Sequence, residues 1–319
     1  LVGSEMCIRD RLKDKGKVKE MATIKHQAAR AAFGAAADVT LKYLNKDPEK
    51  REKSLLKIVD LTESFAKDRF KPESYEAAKA MIRDKDSKWM QYVNRIFDEV
   101  SPNVIKKTAM NLGFEAMLSG TKIMHEMRKK YQCNIPWLLL IDPTSACNLH
   151  CTGCWAAEYG HTMSLTYDEL DSIITQGKEL GIYLYMYTGG EPLVRKADII
   201  KLCEKHNDCA FHAFTNGTLV DDAFCEEMDR VGNLSLSISL EGYEDVNDGR
   251  RGQGVFDKVM KAMDTLKAHG QIFGTSICYT RANIDTVTSD EFLDMIIDKG
   301  CRYAWYFLSL IHISEPTRL

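Results

Sequence analysis

Residues 147 to 154 read Cys-Asn-Leu-His-Cys-Thr-Gly-Cys, three thiols in C-x3-C-x2-C spacing on one short segment. Thiolates this crowded can each take a different iron of a cube-shaped [4Fe–4S] cluster. Three protein ligands leave the fourth iron open, and an open metal position is what a catalytic centre needs. A structural zinc site wants four closed ligands, usually as paired C-x2-C units. No second pair follows, because Cys203, Cys209, Cys225, Cys278 and Cys301 are scattered. His150 or His161 could still complete a zinc site. A zinc- or iron–sulfur-binding scaffold that acts through partner contacts therefore stays open as the alternative.

A second group of candidates begins 34 residues beyond Cys154, at Thr188-Gly189-Gly190-Glu191-Pro192. Paired glycines allow another group to approach the backbone closely, and the adjacent carboxylate can bind an ammonium. Thr215-Asn216-Gly217, Ser239-Leu240-Glu241-Gly242 and Thr280-Arg281-Ala282-Asn283 are each ordinary turn chemistry when taken singly. Tyr183, Tyr185 and Tyr187 alternate, so they share one strand face and read as core. His212 must point away from Phe211 and Ala213, which leaves a substrate-facing role open. Cys203 and Cys225 lie in helical patterns and read as small buried hydrophobes.

The elements that carry these residues alternate. From Pro136 onward, short apolar runs predict strands at 137–141, 182–187, 210–214, 234–239, 272–279 and 302–307, with helices at 166–180, 195–206, 221–231, 254–269 and 285–299 between them. Thr166 and Glu169 have the spacing of a capping box. Repeated βα units predict an α/β fold with a parallel sheet, either a partial (β/α)6 TIM-like barrel or an open doubly wound sheet. The barrel is preferred because every candidate motif falls at the carboxyl end of a strand, where such folds place their ligands.

Residues 21–131 read as an all-helical N-terminal domain. Leu55, Ile58, Val59, Thr62 and Phe65 form one apolar stripe, and Trp89, Val93, Ile96, Phe97 and Val100 another. Prolines at 48, 72 and 102 mark new helix starts. The segment from Pro102 to about Tyr131 is rich in Met and small residues. It reads as a helical layer packed on the next domain, or as a membrane-surface helix with Lys106, Lys107, Lys122, Lys129 and Lys130 snorkelling.

The CNLHCTGC loop, supported by the GGEP element, resembles the signature of the radical S-adenosylmethionine (SAM) superfamily over about residues 136–308. That resemblance implies a [4Fe–4S] cluster on Cys147, Cys151 and Cys154, with the amino and carboxylate groups of SAM on the fourth iron. It implies reductive cleavage of SAM to a 5′-deoxyadenosyl radical that abstracts hydrogen from a substrate. It further implies SAM contacts from Gly189, Gly190, Glu191, Asn216 and Ser239, and from Arg250 or Arg251, with Arg251 taken as the candidate. A flavodoxin- or ferredoxin-like donor would supply the electron. Gly153 stands where the family usually has an aromatic residue, and Trp155 follows the third cysteine instead. The substrate stays open among peptide, lipid and small molecule. Methyl transfer would normally ask for further cysteines or a cobalamin domain.

Composition narrows the class. The chain has 319 residues, enough for more than one domain, with 45% hydrophobic and 28% charged content, and no apolar run long enough for a transmembrane helix. Ten cysteines without a secretory pattern predict a reducing, cytoplasmic setting. Residues 21–131 carry 22 Lys+Arg against 15 Asp+Glu, and residues 132–319 carry 15 against 27. The two halves are therefore oppositely charged and could dock on one another. Basic residues interleaved with acids make nucleic acid a poor partner. The ends, LVGSEMCIRDR and SLIHISEPTRL, resemble translated sequencing adapter. The expected division is a non-native leader at 1–20, the helical domain at 21–131, the core at 132–308 and a non-native tail at 309–319.

Overall fold

The computed structural model describes residues 26–28, 30, 31, 33–35, 37, 38, 48–65, 71–154, 156, 160 and 162–308. Both proposed adapter segments, Trp155 and His161 lie outside these. Helices α1 (Pro48–Phe65), α2 (Pro72–Arg83) and α4 (Pro102–Thr108) start at the expected prolines, while α3 spans Lys88–Glu99. The break between α2 and α3 is not among the expected proline starts. It arises where the Asp84 carboxylate accepts the Asp86 N–H at 3.0 Å, a local bond that competes with the helix. Trp89, assigned to the second apolar stripe, is instead 67% exposed.

From α4 the chain runs without a break through a π-helix at Ala109–Gly120 into α5 (Thr121–Tyr131), which ends at Gln132 in the left-handed region. The π segment buries Met110, Asn111, Glu115 and Ala116. At its end Gly120 touches Gly181: a Cβ on Gly181 would lie 2.5 Å from the Gly120 carbonyl oxygen. Lys106 pairs with Asp38 at 2.6 Å and Lys107 reaches the Asn207 carbonyl at 3.4 Å, so this face of the segment packs on protein. No described helix is long and apolar enough to cross a membrane.

The remaining elements are β1 (Leu138–Ile141), α6 (Tyr167–Glu179), β2 (Leu184–Tyr187), a 3-10 turn at Pro192–Arg195, α7 (Lys196–Lys205), β3 (Ala210–Thr215), α8 (Asp222–Val231) and β4 (Leu234–Ser239). After these come α9 (Glu244–Arg251), α10 (Val255–Ala268), β5 (Phe273–Tyr279), α11 (Ile284–Val287), α12 (Asp290–Asp298) and β6 (Ala304–Leu308). The capping box at Thr166 and Glu169 forms as expected. The predicted 285–299 helix divides because Ser289 caps a fresh start, its hydroxyl accepting from the Phe292 N–H at 3.2 Å.

All six strands are parallel and lie in sequence order, β1 to β6. A doubly wound sheet reverses its order at a switch point. This sheet has no reversal and curls into a partial barrel. Register fixes its two faces. Tyr185, Tyr187 and Phe211 stack at 5.7 and 5.9 Å on the helix-covered side, where Tyr183 is also buried. Gly177 of α6 leaves room for the Tyr185 hydroxyl, which bonds the Ile174 and Ile182 carbonyls at 2.9 Å. Cys203 and Cys225 are fully buried there, and burial pushes the Cys225 thiol up to about 12.

Candidate metal and cofactor centre

The three cysteines sit on the loop that leaves β1, and the next strand holds the approach to that loop. Thr188 N–H donates to the Ile141 carbonyl at 3.0 Å, Gly190 N–H to that of Thr144 at 3.0 Å, and Glu191 N–H to that of Ala146 at 2.8 Å. Pairing this close requires glycine. A Cβ on Gly189 would lie 2.7 Å from the Thr144 oxygen, and one on Gly190 would overlap the Ala146 carbonyl. Gly189 also has φ +101°, a region that disfavours side chains. On that face, then, the glycines admit the protein's own cysteine loop.

Glu191 is 1% exposed, and its carboxylate is fully engaged within the chain. Oε1 accepts from Leu193 N–H at 2.9 Å and Thr215 Oγ1 at 2.7 Å, and Oε2 from Asn216 N–H at 2.7 Å. Burial pushes its pKa up against those bonds. Asn216 extends the link: its Nδ2 donates to Asn148 Oδ1 at 2.8 Å, inside the cysteine loop, and Asn148 Nδ2 donates to Thr218 Oγ1 at 2.8 Å. Glu191 and Asn216 thus form one network that fixes the loop's position. Ser239, at the end of β4, is half-buried, and its hydroxyl has no protein partner among the described residues.

The other side of the loop is held by the end of α9. Arg250 accepts the Thr152 N–H on its carbonyl at 2.8 Å, and the Arg251 Nη1 donates to Cys151 Sγ at 3.9 Å. Both guanidiniums converge on Glu241, which is fully buried. Arg251 bonds its Oε1, and Arg250 Nη1 lies 2.6 Å from the same oxygen as a close ion pair outside hydrogen-bonding angle. Glu241 Oε2 accepts the Cys278 N–H at 2.9 Å. Burial raises the Cys147 and Cys151 thiols, and the neighbouring cysteines add to the rise at both; Arg251 opposes it at Cys151. The sequence left two arginines open. Arg251 is the one whose side chain reaches a cysteine, while Arg250 grips Thr152 through both its carbonyl and its Nε.

Among the described residues no three His, Cys, Asp or Glu side chains meet at one point, as a single zinc ion would require. A cube-shaped cluster instead takes each thiolate on a separate iron. Three free thiols on one loop, with a guanidinium beside Cys151 to offset thiolate charge, fit such a cluster. Asn148, Thr218, Glu241 and the exposed Asp142 beside Gly189 were not singled out as centre residues from sequence. Only Glu241 left a signal, an acid followed within ten residues by both members of an arginine pair.

Residues 141–298, about half of the chain, match the Radical SAM superfamily, and the chain belongs to that superfamily of iron–sulfur, SAM-dependent enzymes. An uncharacterized protein of Archaeoglobus fulgidus is 36% identical over 129 residues, 39% of this chain and 30% of that one. The AdoMet-dependent heme synthase of Methanosarcina barkeri is 27% identical over 161 residues, 49% of this chain and 46% of that one. The Streptococcus suis SuiB structure bound to precursor peptide SuiA shares the fold at 19% identity, TM-score 0.51, over 78% of this chain and 53% of that one. The chain spans less than half the length of both curated relatives.

Proposed function

We propose that the core at 132–308 is the catalytic unit of a radical SAM enzyme and that residues 21–131 form a helical domain docked beneath it. The observation that carries this reading is the three-thiol loop clamped from both sides at the carboxyl ends of a parallel sheet, by Glu191–Asn216 and by Glu241–Arg251. When bound, the cluster and SAM supply reductive carbon–sulfur cleavage and a carbon-centred radical. Cys147, Cys151 and Cys154 hold the cluster, and Arg251 steadies the charge at Cys151. The backbone at Gly189–Gly190 and the Ser239 hydroxyl would bind the methionine and ribose groups of SAM. Glu191 and Asn216 act through the loop they position. A flavodoxin- or ferredoxin-like protein donates the electron in a cytoplasmic setting.

Anaerobic reconstitution should give a broad blue-end visible absorbance, and dithionite should then release 5′-deoxyadenosine and methionine from SAM. Cys151→Ala should lose both signals. A reconstituted chain that forms no 5′-deoxyadenosine defeats the proposal.

A further inference from the structure

The sheet's second face is not covered by the core helices, and its chemistry is one-sided. Strand alternation brings two or three residues from each strand onto it, from Leu138 on β1 to Phe307 on β6, and none carries a formal charge. Phe214, Trp305 and Phe307 form an aromatic wall there. Trp305 and Phe307 stack at 6.3 Å and 9°, and Phe214 meets them edge-on at 5.9 and 5.8 Å. Trp305 is 39% and Phe307 44% exposed among the described residues. The floor is polar without being ionic: His212 spans Ser235 and Ser237 at 2.9 Å on each ring nitrogen. Burial holds that imidazole near 4, so it is neutral at pH 7.

We propose that the part of the substrate entering this barrel is uncharged and hydrocarbon-rich and lies against Phe214, Trp305 and Phe307; this rests on the radical SAM reading above. A phosphate or carboxylate on this face would lose its water and gain no cation in return. The guanidiniums of Arg250 and Arg251, at the end of α9, are committed to Glu241. An apolar moiety loses nothing polar on entry and covers exposed ring surface. His212, Ser235 and Ser237 are bonded to one another and form an uncharged backing behind the rings.

The test uses reconstituted holoprotein, anaerobic equilibrium dialysis and two matched probes, N-phenyl-1-naphthylamine and its 8-sulfonate. The neutral probe should bind at least about tenfold more tightly than the anion. Trp305→Lys should reverse that order, whereas Trp89→Lys, which adds the same charge at an exposed position on α3, should leave it unchanged. Preference for the sulfonate, binding of neither probe, or neutral binding indifferent to Trp305→Lys would each overturn the inference. Formation of 5′-deoxyadenosine by the wild type is scored separately. Its absence defeats the radical SAM reading; its presence with a failed probe test defeats the substrate class alone.

Discussion

Two buried groups decide how the centre holds together at the level of single residues. Glu241 is surrounded by two guanidiniums and one N–H, which together offset the cost of removing a carboxylate from water. Glu241→Ala would leave both arginines without that partner. Urea unfolding should show a loss of about 3–5 kcal/mol, and iron per chain after reconstitution should fall. Unchanged stability with full iron would mean the arginines are held elsewhere. His212 behaves differently. Its folded pKa of about 4 lies below the ordinary 6.5, so the unfolded chain takes up the proton first. Its contribution is complete above about pH 6.5 and is lost as pH falls toward 4, to the extent of about 3 kcal/mol. His212→Gln should therefore lose less stability than wild type between about pH 7 and pH 4.5 in urea titrations. Equal losses would show that another group sets the acid limit. The grouping of the three cysteines was legible at this scale because all three fall on one short segment, the loop after β1. The bonds from Thr215 and Asn216 to Glu191 were not legible, since a carboxylate beside two glycines carries no sign of partners 24 and 25 residues away.

Elements were readable to the degree that their apolar pattern had one period. Leu234–Ser239 alternates apolar and serine residues, and the strand falls where expected. Helix α9 went unread because Glu-Asp-Val-Asn-Asp-Gly-Arg-Arg has a single apolar residue and no stripe. It is nonetheless the element that delivers both arginines. The π-helix was hidden for another reason: Met and small residues at 109–120 satisfy three- and four-residue spacings and do not separate helix types. Strand β2 and the cysteine loop are coupled by contact at Gly190, whose backbone is in an ordinary conformation, so that Gly190→Ala acts through space alone. The new methyl would push on the Ala146 carbonyl, one residue before Cys147. A cost of about 1–3 kcal/mol is expected, with cluster loading reduced more than secondary structure by circular dichroism. Full loading in Gly190→Ala would show that the loop can shift without harm.

Over the whole molecule, the helical region meets the barrel at the amino-terminal end of the strands. In a βα repeat the helices finish there, leaving unpaired carbonyls and the negative ends of their dipoles. Donors from the helical region meet them. Asn103 Nδ2 reaches the Asp229 carbonyl at 2.5 Å, Asn111 Nδ2 those of Asn207 and Cys209 at 3.0 and 2.8 Å, Arg95 that of Ile297 at 3.3 Å, and the Ser101 N–H that of Gly270 at 2.8 Å. Glu115 anchors this layer. Fully buried in the π segment, it accepts from Arg30 and lies 2.8 Å from the His26 ring. The Glu115 hydrogen bond raises the His26 pKa, with burial opposing. A raised histidine stabilises the fold below its unfolded pKa, and that stability is lost as pH climbs through the folded value. Glu115→Gln should cost roughly 3 kcal/mol, and the cost should be larger at about pH 6 than at about pH 9, because only the carboxylate rewards a protonated His26. Urea titrations of both proteins at the two pH values check this. An equal cost at both would mean that Arg30 alone holds Glu115 and that His26 contributes packing without charge.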